Sequence, residues 1–182
     1  MTIRIDSRRL ALRPLAVSDI DRVADYLGDF DVSRMLSRAP HPYDREDGLE
    51  KLRRAEEDAA RWPDIEEIGF AIDHEGGLVG AISFRALHAT PVIGYWLGRP
   101  YWGQGLMGEA VQAALGWLFA MRAVAAVDAS VMQDNPASVA LLRKVGFAII
   151  GSEECSSLSR CATVPAIRMR LERADFLGSS NT

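Results

Sequence analysis

The sequence predicts one mixed α/β domain in which a single sheet is covered by helices. The chain has 182 residues, of which 48% are hydrophobic, and this suits one buried core rather than two ordinary enzyme domains. Runs with the two-residue period of strands alternate with runs that have the period of helices. Strands flank two well-marked helices, an order typical of a sheet with helices packed on it. We expect the domain to span residues 1–176, followed by a polar tail at residues 177–182.

The first half of the chain is expected to form a strand, two helices and a hairpin. Ser18 opens the first helix with a capping-box pattern, and Pro63 ends the second because proline cannot continue a helix. The segment His74-Glu75-Gly76-Gly77 joins two β-rich runs and has the composition of a hairpin turn. The elements expected here are strand 9–13, helix 18–28, helix 44–62 and strands 68–73 and 78–84.

The second half contains the most strongly marked helix of the sequence. From Met107 onward, apolar residues fall on one helical face for several turns. Asn135 followed by Pro136 marks the start of another helix, since asparagine caps helices and proline favours the first helical position. The expected elements are strand 92–97, a helix from residue 107, strand 124–131, helix 135–146, and strands 147–150 and 167–171.

Composition and charge exclude several classes of function. The formal net charge is -4 and the pI is near 5.4, with lysines and arginines scattered, so nucleic acid is not an expected partner. No segment approaches the ~20 apolar residues of a membrane span, so we expect a soluble, cytoplasmic protein. Cys155, Cys161 and the histidines lack ligand spacing, so we expect neither a metal site nor a structural disulfide. The sequence leaves open whether the protein is a monomer or a homodimer.

A glycine-rich hexapeptide, Gly103-Gln104-Gly105-Leu106-Met107-Gly108, directly precedes the marked helix. Backbone N–H groups at a helix N-terminus point outward with the positive end of the helix dipole behind them, which favours an anion such as pyrophosphate. Glycine lets the anion reach the main chain because it has no side chain. The glycines are equally compatible with a tight strand-to-helix turn. Trp102, just before the loop, either contacts the ligand or anchors the turn, and we favour the anchor.

The hexapeptide also matches the G-x-G-x-x-G pattern of dinucleotide-binding folds, with Asp128 at a suitable distance beyond it. Three features argue against a nicotinamide cofactor. In that fold the first glycine follows its strand at once, whereas residues 98–102 intervene here. The acidic residue there ends its strand, whereas Asp128 is expected inside one. The motif also lies mid-chain, so too few residues remain for a second nucleotide-binding half.

Four motifs of the second half stand in a fixed order. They are Ile93-Gly94-Tyr95-Trp96-Leu97, Tyr101-Trp102-Gly103-Gln104-Gly105 with Glu109-Ala110, Asn135-x-x-Ser138, and Gly146-Phe147. In order and spacing they resemble the GNAT superfamily of N-acetyltransferases, specifically its branch of ribosomal-protein N-terminal (Rim-type) enzymes. Nearly the whole chain is covered, because further segments resemble the opening and the last strand of that branch: Arg9-Leu10-x-Leu12-Arg13-Pro14 with Asp19, Pro40-His41-Pro42-Tyr43, and Met169-x-Leu171.

The resemblance implies a GNAT-like fold, with a mixed, mostly antiparallel central sheet that is splayed between strands 92–97 and 124–131. It also implies that acetyl-CoA is the co-substrate, with pantetheine in the splay and pyrophosphate on the glycine loop, and that no metal is required. Two positions depart from the family pattern. Met107 stands where glycine or alanine is usual, and it either crowds the cofactor or turns into the core. Leu142 stands where many members have a tyrosine that protonates the leaving thiolate. The candidate cofactor contacts are Leu97, Trp102, Gly103, Gln104, Gly105, Leu106, Met107, Gly108, Asn135 and Ser138.

Ser138 and Asn135 are the candidate catalytic residues. The Rim-type branch often lacks the tyrosine, and the resemblance implies that Ser138 replaces it with a hydroxyl hydrogen bond. A thiol pKa near ~8.5 makes the thiolate a tolerable leaving group, so loss of the hydroxyl is expected to slow turnover without abolishing it. Helix punctuation alone also accounts for both residues. The candidate substrate contacts are Tyr43, Tyr95 and Trp96; of the last two, one faces the cleft and the other the core or a helix.

The predicted reaction is acetyl transfer from acetyl-CoA to a primary amine by direct attack through a tetrahedral intermediate. A backbone N–H of strand 92–97 is expected to hold the oxyanion. Deprotonating an α-amine with a pKa near ~8 costs about 1 kcal/mol at pH 7, against roughly 4 to 5 kcal/mol for a lysine near ~10.4, so a protein N-terminal α-amine is favoured. The alternatives are a small-molecule amine acceptor and a non-catalytic acyl-CoA-binding sensor. No general base stands out, and the candidates by residue type are Glu66, Glu67, His88, Asp128, Glu153 and Glu154.

Overall fold

A computed structural model describes residues 3–179 of the protein. The strands are β1 (Ile5–Asp6), β2 (Leu10–Arg13), β3 (Ile68–His74), β4 (Gly77–Arg85), β5 (Val92–Leu97), β6 (Ala126–Met132), β7 (Ala148–Ser157) and β8 (Ala162–Glu172). The helices are α1 (Ile20–Gly28), α2 (Phe30–Ser33), α3 (Arg45–Ala60), α4 (Leu106–Met121), α5 (Pro136–Val145) and α6 (Arg173–Ser179). The strands form one 8-stranded sheet in the order β1-β2-β3-β4-β5-β6-β8-β7.

The sheet is antiparallel everywhere except between β5 and β6, which run parallel. These two strands pair only where Val92 faces Asp128 and Ile93 faces Ala129. From Gly94 to Leu97, β5 therefore has no strand partner on the β6 side, while its other edge stays bonded to β4. The expected mixed, mostly antiparallel sheet with a splay between these strands is confirmed.

Helices cover both faces of the sheet. The larger core cluster joins α4 and α5 to one face, and the apolar stripe of α4 supplies residues such as Leu115 and Leu118, both fully buried. A smaller cluster on the other face joins Val23 and Leu27 of α1 to Leu78 of β4. None of the helices in residues 3–179 combines the length and the apolar character that a bilayer-spanning helix needs.

Local signals account for the boundaries of several elements. Asp44 caps α3, because its carboxylate accepts the N–H groups of Glu46 and Asp47 at 2.8 and 3.1 Å. Glu75 and Gly76 have φ angles of 54° and 81°, the left-handed pair that a two-residue hairpin between β3 and β4 requires. The predicted second helix and the hairpin are thus confirmed, as are the helices and strands expected near residues 92–97, 107–121, 124–131 and 135–146.

The edge of the sheet and the ends of the chain differ from the prediction. The sequence predicts that the strand after Phe147 ends at residue 150, but β7 continues to Ser157, because this exposed edge strand pairs with β8 through its backbone and needs no apolar alternation. The elements β1, α2 and α6 are too short to show a period in the sequence. The expected polar tail falls partly on the end of α6, and its residues 180–182 lie outside the described part of the chain.

Ser18 does not cap the first helix as predicted. It lies in a short 3-10 turn, Val17–Asp19, and the Asp19 carboxylate accepts the N–H of Ala16 at 2.9 Å instead. Asp19 is only 4% exposed and is bound by Arg13 through two hydrogen bonds of 2.7 and 2.9 Å. Burial alone would raise the pKa of Asp19, but the bonds from Arg13 and Ala16 outweigh it and hold that pKa below its usual value.

The variant Asp19→Asn is expected to lower the free energy of unfolding by about 2 kcal/mol at pH 7, because it removes the charge-assisted hydrogen bonds to Arg13, which then relies on Asp73, 2.8 Å away, as its counter-ion. A carboxylate with a depressed native pKa stabilises the fold above its unfolded pKa and loses that effect as pH falls through the native pKa. When the pH is lowered from 7 to below about 4, the variant should therefore lose less stability than the wild type does. Urea titrations at pH 7 and pH 3 measure both effects.

Asp21→Asn is the control, since Asp21 pairs with Arg45 on the surface, where its side chain is 80% exposed. Its effect should stay within about 0.5 kcal/mol. Equal effects of the two variants would contradict a special role of the buried pair.

Candidate functional site

The glycine loop leaves its backbone donors open. Gly103 and Gly105 both have φ of 74°, a conformation that glycine adopts without strain and that turns successive N–H groups toward one side. Gly105 is the N-cap of α4, and no side chain caps the helix there. A Cβ atom at Gly103 or Gly108 would meet no atom of residues 3–179 within 4 Å. Free N–H groups beside open space fit a bound anion such as a pyrophosphate.

A cation lies next to this loop. The Arg9 guanidinium donates to the Gln104 carbonyl at 3.0 Å and has a nitrogen 3.7 Å from where a Cβ of Gly105 would be. The Glu109 carboxylate of α4 accepts hydrogen bonds from the backbone N–H of Arg9 at 2.6 Å and from the Nε of Arg9 at 2.7 Å. It also accepts one from the Ser7 hydroxyl. The sequence places Arg9 and Glu109 in separate motifs and contains no signal that they meet at the loop.

The side chains around the loop anchor it rather than fill it. Trp102 donates its indole N–H to the Leu97 carbonyl at 2.7 Å, in agreement with the anchoring role, although 45% of Trp102 remains exposed. Gln104 donates to the Pro100 carbonyl at 3.0 Å. Met107 is 8% exposed and packs into the larger core cluster with Leu106. Met107 thus turns into the core.

Two hydroxyl groups meet beside the splay. Tyr95 of β5 and Ser138 of α5 form a hydrogen bond of 2.7 Å between their oxygens, and either oxygen can donate. Asn135 caps α5 by accepting the Ser138 N–H at 3.2 Å, which fixes the first turn that carries Ser138. Trp96 points to the opposite face, where it packs against Tyr26 with ring centroids 6.4 Å apart. Tyr95 is therefore the member of the pair that faces the α5 side of the splay.

Burial raises the pKa of Tyr95 to about 12, and the hydrogen bond with Ser138 offsets only part of the effect. The phenol therefore stays protonated at neutral pH and keeps a proton to donate. Leu142, where many members of the resembled family have a tyrosine, is fully buried in the core. The phenol near Ser138 comes from β5 instead of α5, and the sequence could not reveal this because the residues lie in different motifs.

A cavity of about 550 Å³ opens on the other face of the sheet. Val92 of β5 and Ser130 of β6 line it, next to the point where these strands separate. Side chains alternate along a strand, so Val92 points away from Ile93 and Tyr95, which face α4 and α5. The splay is thus flanked by the hydroxyl pair on one face and by this cavity on the other. A second cavity, of about 570 Å³, lies at the first residues of β5 and β6, away from the splay.

The candidate bases are not equally placed. Glu67 is bound by Arg38 at 2.8 Å, Asp128 by Arg170 at 2.6 Å, and His88 lies 3.4 Å from Asp64 on the surface. Glu153 and Glu154 both line the cavity of about 550 Å³.

Tyr43 is not brought to either cavity, because it is 8% exposed and packs in the smaller core cluster, so its contact with substrate stays a prediction. Cys155 and Cys161 are both free thiols.

Comparisons with known proteins show the family and the fold. A model of the GNAT acetyltransferase domain matches residues 9–148. The probable N-acetyltransferase YjcK of Bacillus subtilis (strain 168) is 28% identical over 155 residues, covering 79% of this chain and 82% of that protein. The ribosomal-protein-serine acetyltransferase of Escherichia coli (strain K12) is 33% identical over 85 residues, covering 45% of this chain and 48% of that protein. The spermidine N-acetyltransferase of Vibrio cholerae, solved with CoA and spermine, shares the fold with a TM-score of 0.76 at 19% identity, covering 93% of this chain and 98% of that one.

Proposed function

The chain belongs to the GNAT family of acetyltransferases and is an acetyl-CoA-dependent N-acetyltransferase, and we propose that its preferred acceptor is a protein N-terminal α-amine in the cytoplasm. The observation that carries the proposal is which side chains lie beside the splay. Tyr95 and Ser138, the groups that meet beside it, are hydroxyls that supply a proton but do not act as bases at neutral pH. Such a site suits an amine that loses its proton at little cost.

The splay supports direct transfer between two bound substrates. The segment Gly94–Leu97 of β5 has no partner on the β6 side, so the N–H groups of the alternate residues that point away from β4 are available to a thioester carbonyl oxygen there. The glycine loop that begins α4 would hold the pyrophosphate of acetyl-CoA, with Arg9 beside it. Because this loop follows β5 along the chain, a cofactor bound to it can extend into the splay.

Ser138 is the proposed proton donor. During transfer the amine nitrogen bonds to the acetyl carbon, the carbon–sulfur bond breaks, and the thiolate takes up a proton. Ser138 donates its hydroxyl hydrogen to the sulfur, and Tyr95, at 2.7 Å, holds the hydroxyl in position and can replace the proton. The α-ammonium group loses one proton to water before the attack, at a cost of about 1 kcal/mol at pH 7, and the proton that the attacking nitrogen then releases returns through water to Tyr95.

A small-molecule amine is the second candidate acceptor. Glu153 and Glu154 line the cavity beside the splay, and carboxylates there favour a cationic amine. The named relatives include an enzyme for a ribosomal protein and one for spermidine, so both acceptor classes occur among the proteins that this chain resembles.

The test is a steady-state assay with acetyl-CoA and a panel of acceptors. Peptides with free N-termini are compared with the same peptides blocked at the N-terminus, with lysine-containing blocked peptides, and with spermidine. We expect the highest kcat/KM for free N-termini. Turnover of spermidine and of no peptide would contradict the N-terminal acceptor and support a small-molecule amine. Tight acetyl-CoA binding with no transfer to any amine would favour the sensor.

A further inference from the structure

We infer that the amine acceptor carries a carboxylate and that Arg85, in the cavity of about 550 Å³, binds it. The inference deepens the proposed function and rests on it, since it assumes that this cavity receives the acceptor. Its basis is the distribution of charge around the cavity, which contains one cation that has no counter-ion among residues 3–179, and carboxylates at another part of the wall.

Arg85 is the cation without a counter-ion. It is half-buried, and within residues 3–179 it forms no ion pair and no side-chain hydrogen bond. Burial lowers the pKa of Arg85, and the nearby Arg38 lowers it further. Glu67, whose charge also acts on Arg85, is engaged by Arg38 through two hydrogen bonds of 2.9 and 2.8 Å. A half-buried guanidinium left in this state gains most from a carboxylate brought by a ligand.

The cavity also contains a group that suits the amine. Glu153 of β7 faces Ala166 of β8, which faces Met132 of β6, so the pleat places Glu153 on the same face as Met132 and the cavity. Within the described part of the chain, its one ion pair, with Arg168, is long at 3.7 Å. Glu153 can therefore accept a hydrogen bond from an ammonium group.

The position of Arg85 fits a ligand that reaches the splay. Arg85 faces Val92 across β4 and β5, and Val92 faces Asp128 at the last rungs before β5 and β6 separate. A ligand carboxylate bound to Arg85 is therefore close to Val92, beside the point where β5 and β6 separate. This geometry fits an amine with a carboxylate a few bonds away, which is found in a peptide with an acidic second residue and in a free amino acid.

The experiment compares acceptors with and without a carboxylate. The kcat/KM values of Ser-Glu-Ala-Ala and Ser-Gln-Ala-Ala, both with amidated C-termini, give a selectivity ratio for a side-chain carboxylate. Alanine against alaninamide gives the same ratio for a free amino acid, with each kcat/KM expressed per neutral amine, because the carboxylate of alanine raises the pKa of its amine. Each ratio is measured for the wild type, for Arg85→Gln and for Arg85→Lys. The control is Arg122→Gln, because Arg122 is a half-buried arginine that lines the other cavity.

We expect the wild type to favour the charged member of one pair by about 10- to 100-fold, the range of one charge-assisted hydrogen bond. Arg85→Gln should bring the ratio close to one, Arg85→Lys should keep part of it, and Arg122→Gln should keep all of it. Thermal unfolding confirms that each variant is folded. If Arg85→Gln does not fold, the wild-type ratio and the lysine variant still test the inference.

Equal rates within both pairs, or a preference that survives Arg85→Gln, would overturn the inference and leave transfer to α-amines intact. A preference confined to alanine, together with a higher kcat/KM for alanine than for either peptide, would support Arg85 and contradict the peptide acceptor of the proposed function. If no amine is acetylated, the proposed function fails, and calorimetric binding of the two peptides to the CoA complex tests Arg85 alone. Equal or undetectable binding would then overturn it.

Discussion

Gly108→Glu is expected to abolish acetyl-CoA binding while leaving the fold at least as stable as the wild type. Gly108 lies in the first turn of α4, and a Cβ there would meet nothing within 4 Å. Replacing a helical glycine gains up to about 1 kcal/mol, and a carboxylate near the helix N-terminus adds a few tenths. The same carboxylate would occupy the open space over the free N–H groups and repel a pyrophosphate.

The expected loss of affinity is at least about 100-fold, or nearly 3 kcal/mol, in calorimetric titrations with acetyl-CoA. Gly116→Glu is the matched control, because Gly116 lies in the same helix, also has open space at its Cβ position, and is remote from the loop. It should gain helix stability and bind acetyl-CoA as the wild type does. Unchanged binding by Gly108→Glu would mean that the pyrophosphate lies elsewhere.

The opposite signs of the two effects make this test specific. A variant that unfolds also loses its ligand, so loss of binding by itself says little about a site. Here the melting temperature should stay the same or rise while the affinity falls. That combination is explained by a ligand that needs the empty space at the start of α4, and a general loss of structure does not produce it.

Much of the fold could be predicted because its signals are local. The apolar stripe of α4 and the turn at Glu75-Gly76 each act over a few residues, and each is present as expected. The end of β7 could not be predicted in the same way. Its residues are polar and exposed, so its length depends on backbone pairing with β8, which lies across the hairpin.

The candidate site likewise has a part that local sequence predicts and a part that depends on contacts between distant residues. The glycine loop is one continuous segment, and its open backbone follows from the glycines themselves. The bond between Tyr95 and Ser138, and the approach of Arg9 to the loop, join residues far apart in the chain. Their residue types alone do not indicate these contacts. Arg85 could not be predicted for a further reason: what distinguishes it is the lack of a counter-ion among the described residues, which only the packing can reveal.

Ser138→Ala is expected to lower kcat by about 100-fold and to leave the acetyl-CoA affinity within a few-fold of the wild type, because general acid catalysis contributes at least that much. The pKa of a free thiol, near ~8.5, keeps the effect at the lower end of the usual range. Tyr95→Phe should lower kcat by about tenfold, since the phenol acts through Ser138 and a loosely held hydroxyl still donates. Ser18→Ala, which changes an exposed serine near the start of α1, is the control.

The double variant decides how the two hydroxyls share the proton transfer. If Tyr95 acts only through Ser138, Tyr95→Phe should add little to Ser138→Ala, because residues that act as a unit are not additive. Additive losses, or a larger loss in Tyr95→Phe than in Ser138→Ala, would instead make the phenol the donor. The pH profile supplies an independent readout. With the pKa of Tyr95 raised to about 12, its ionisation should cause no fall in kcat up to about pH 10, so a Tyr95-dependent fall below that pH would contradict a buried, protonated phenol.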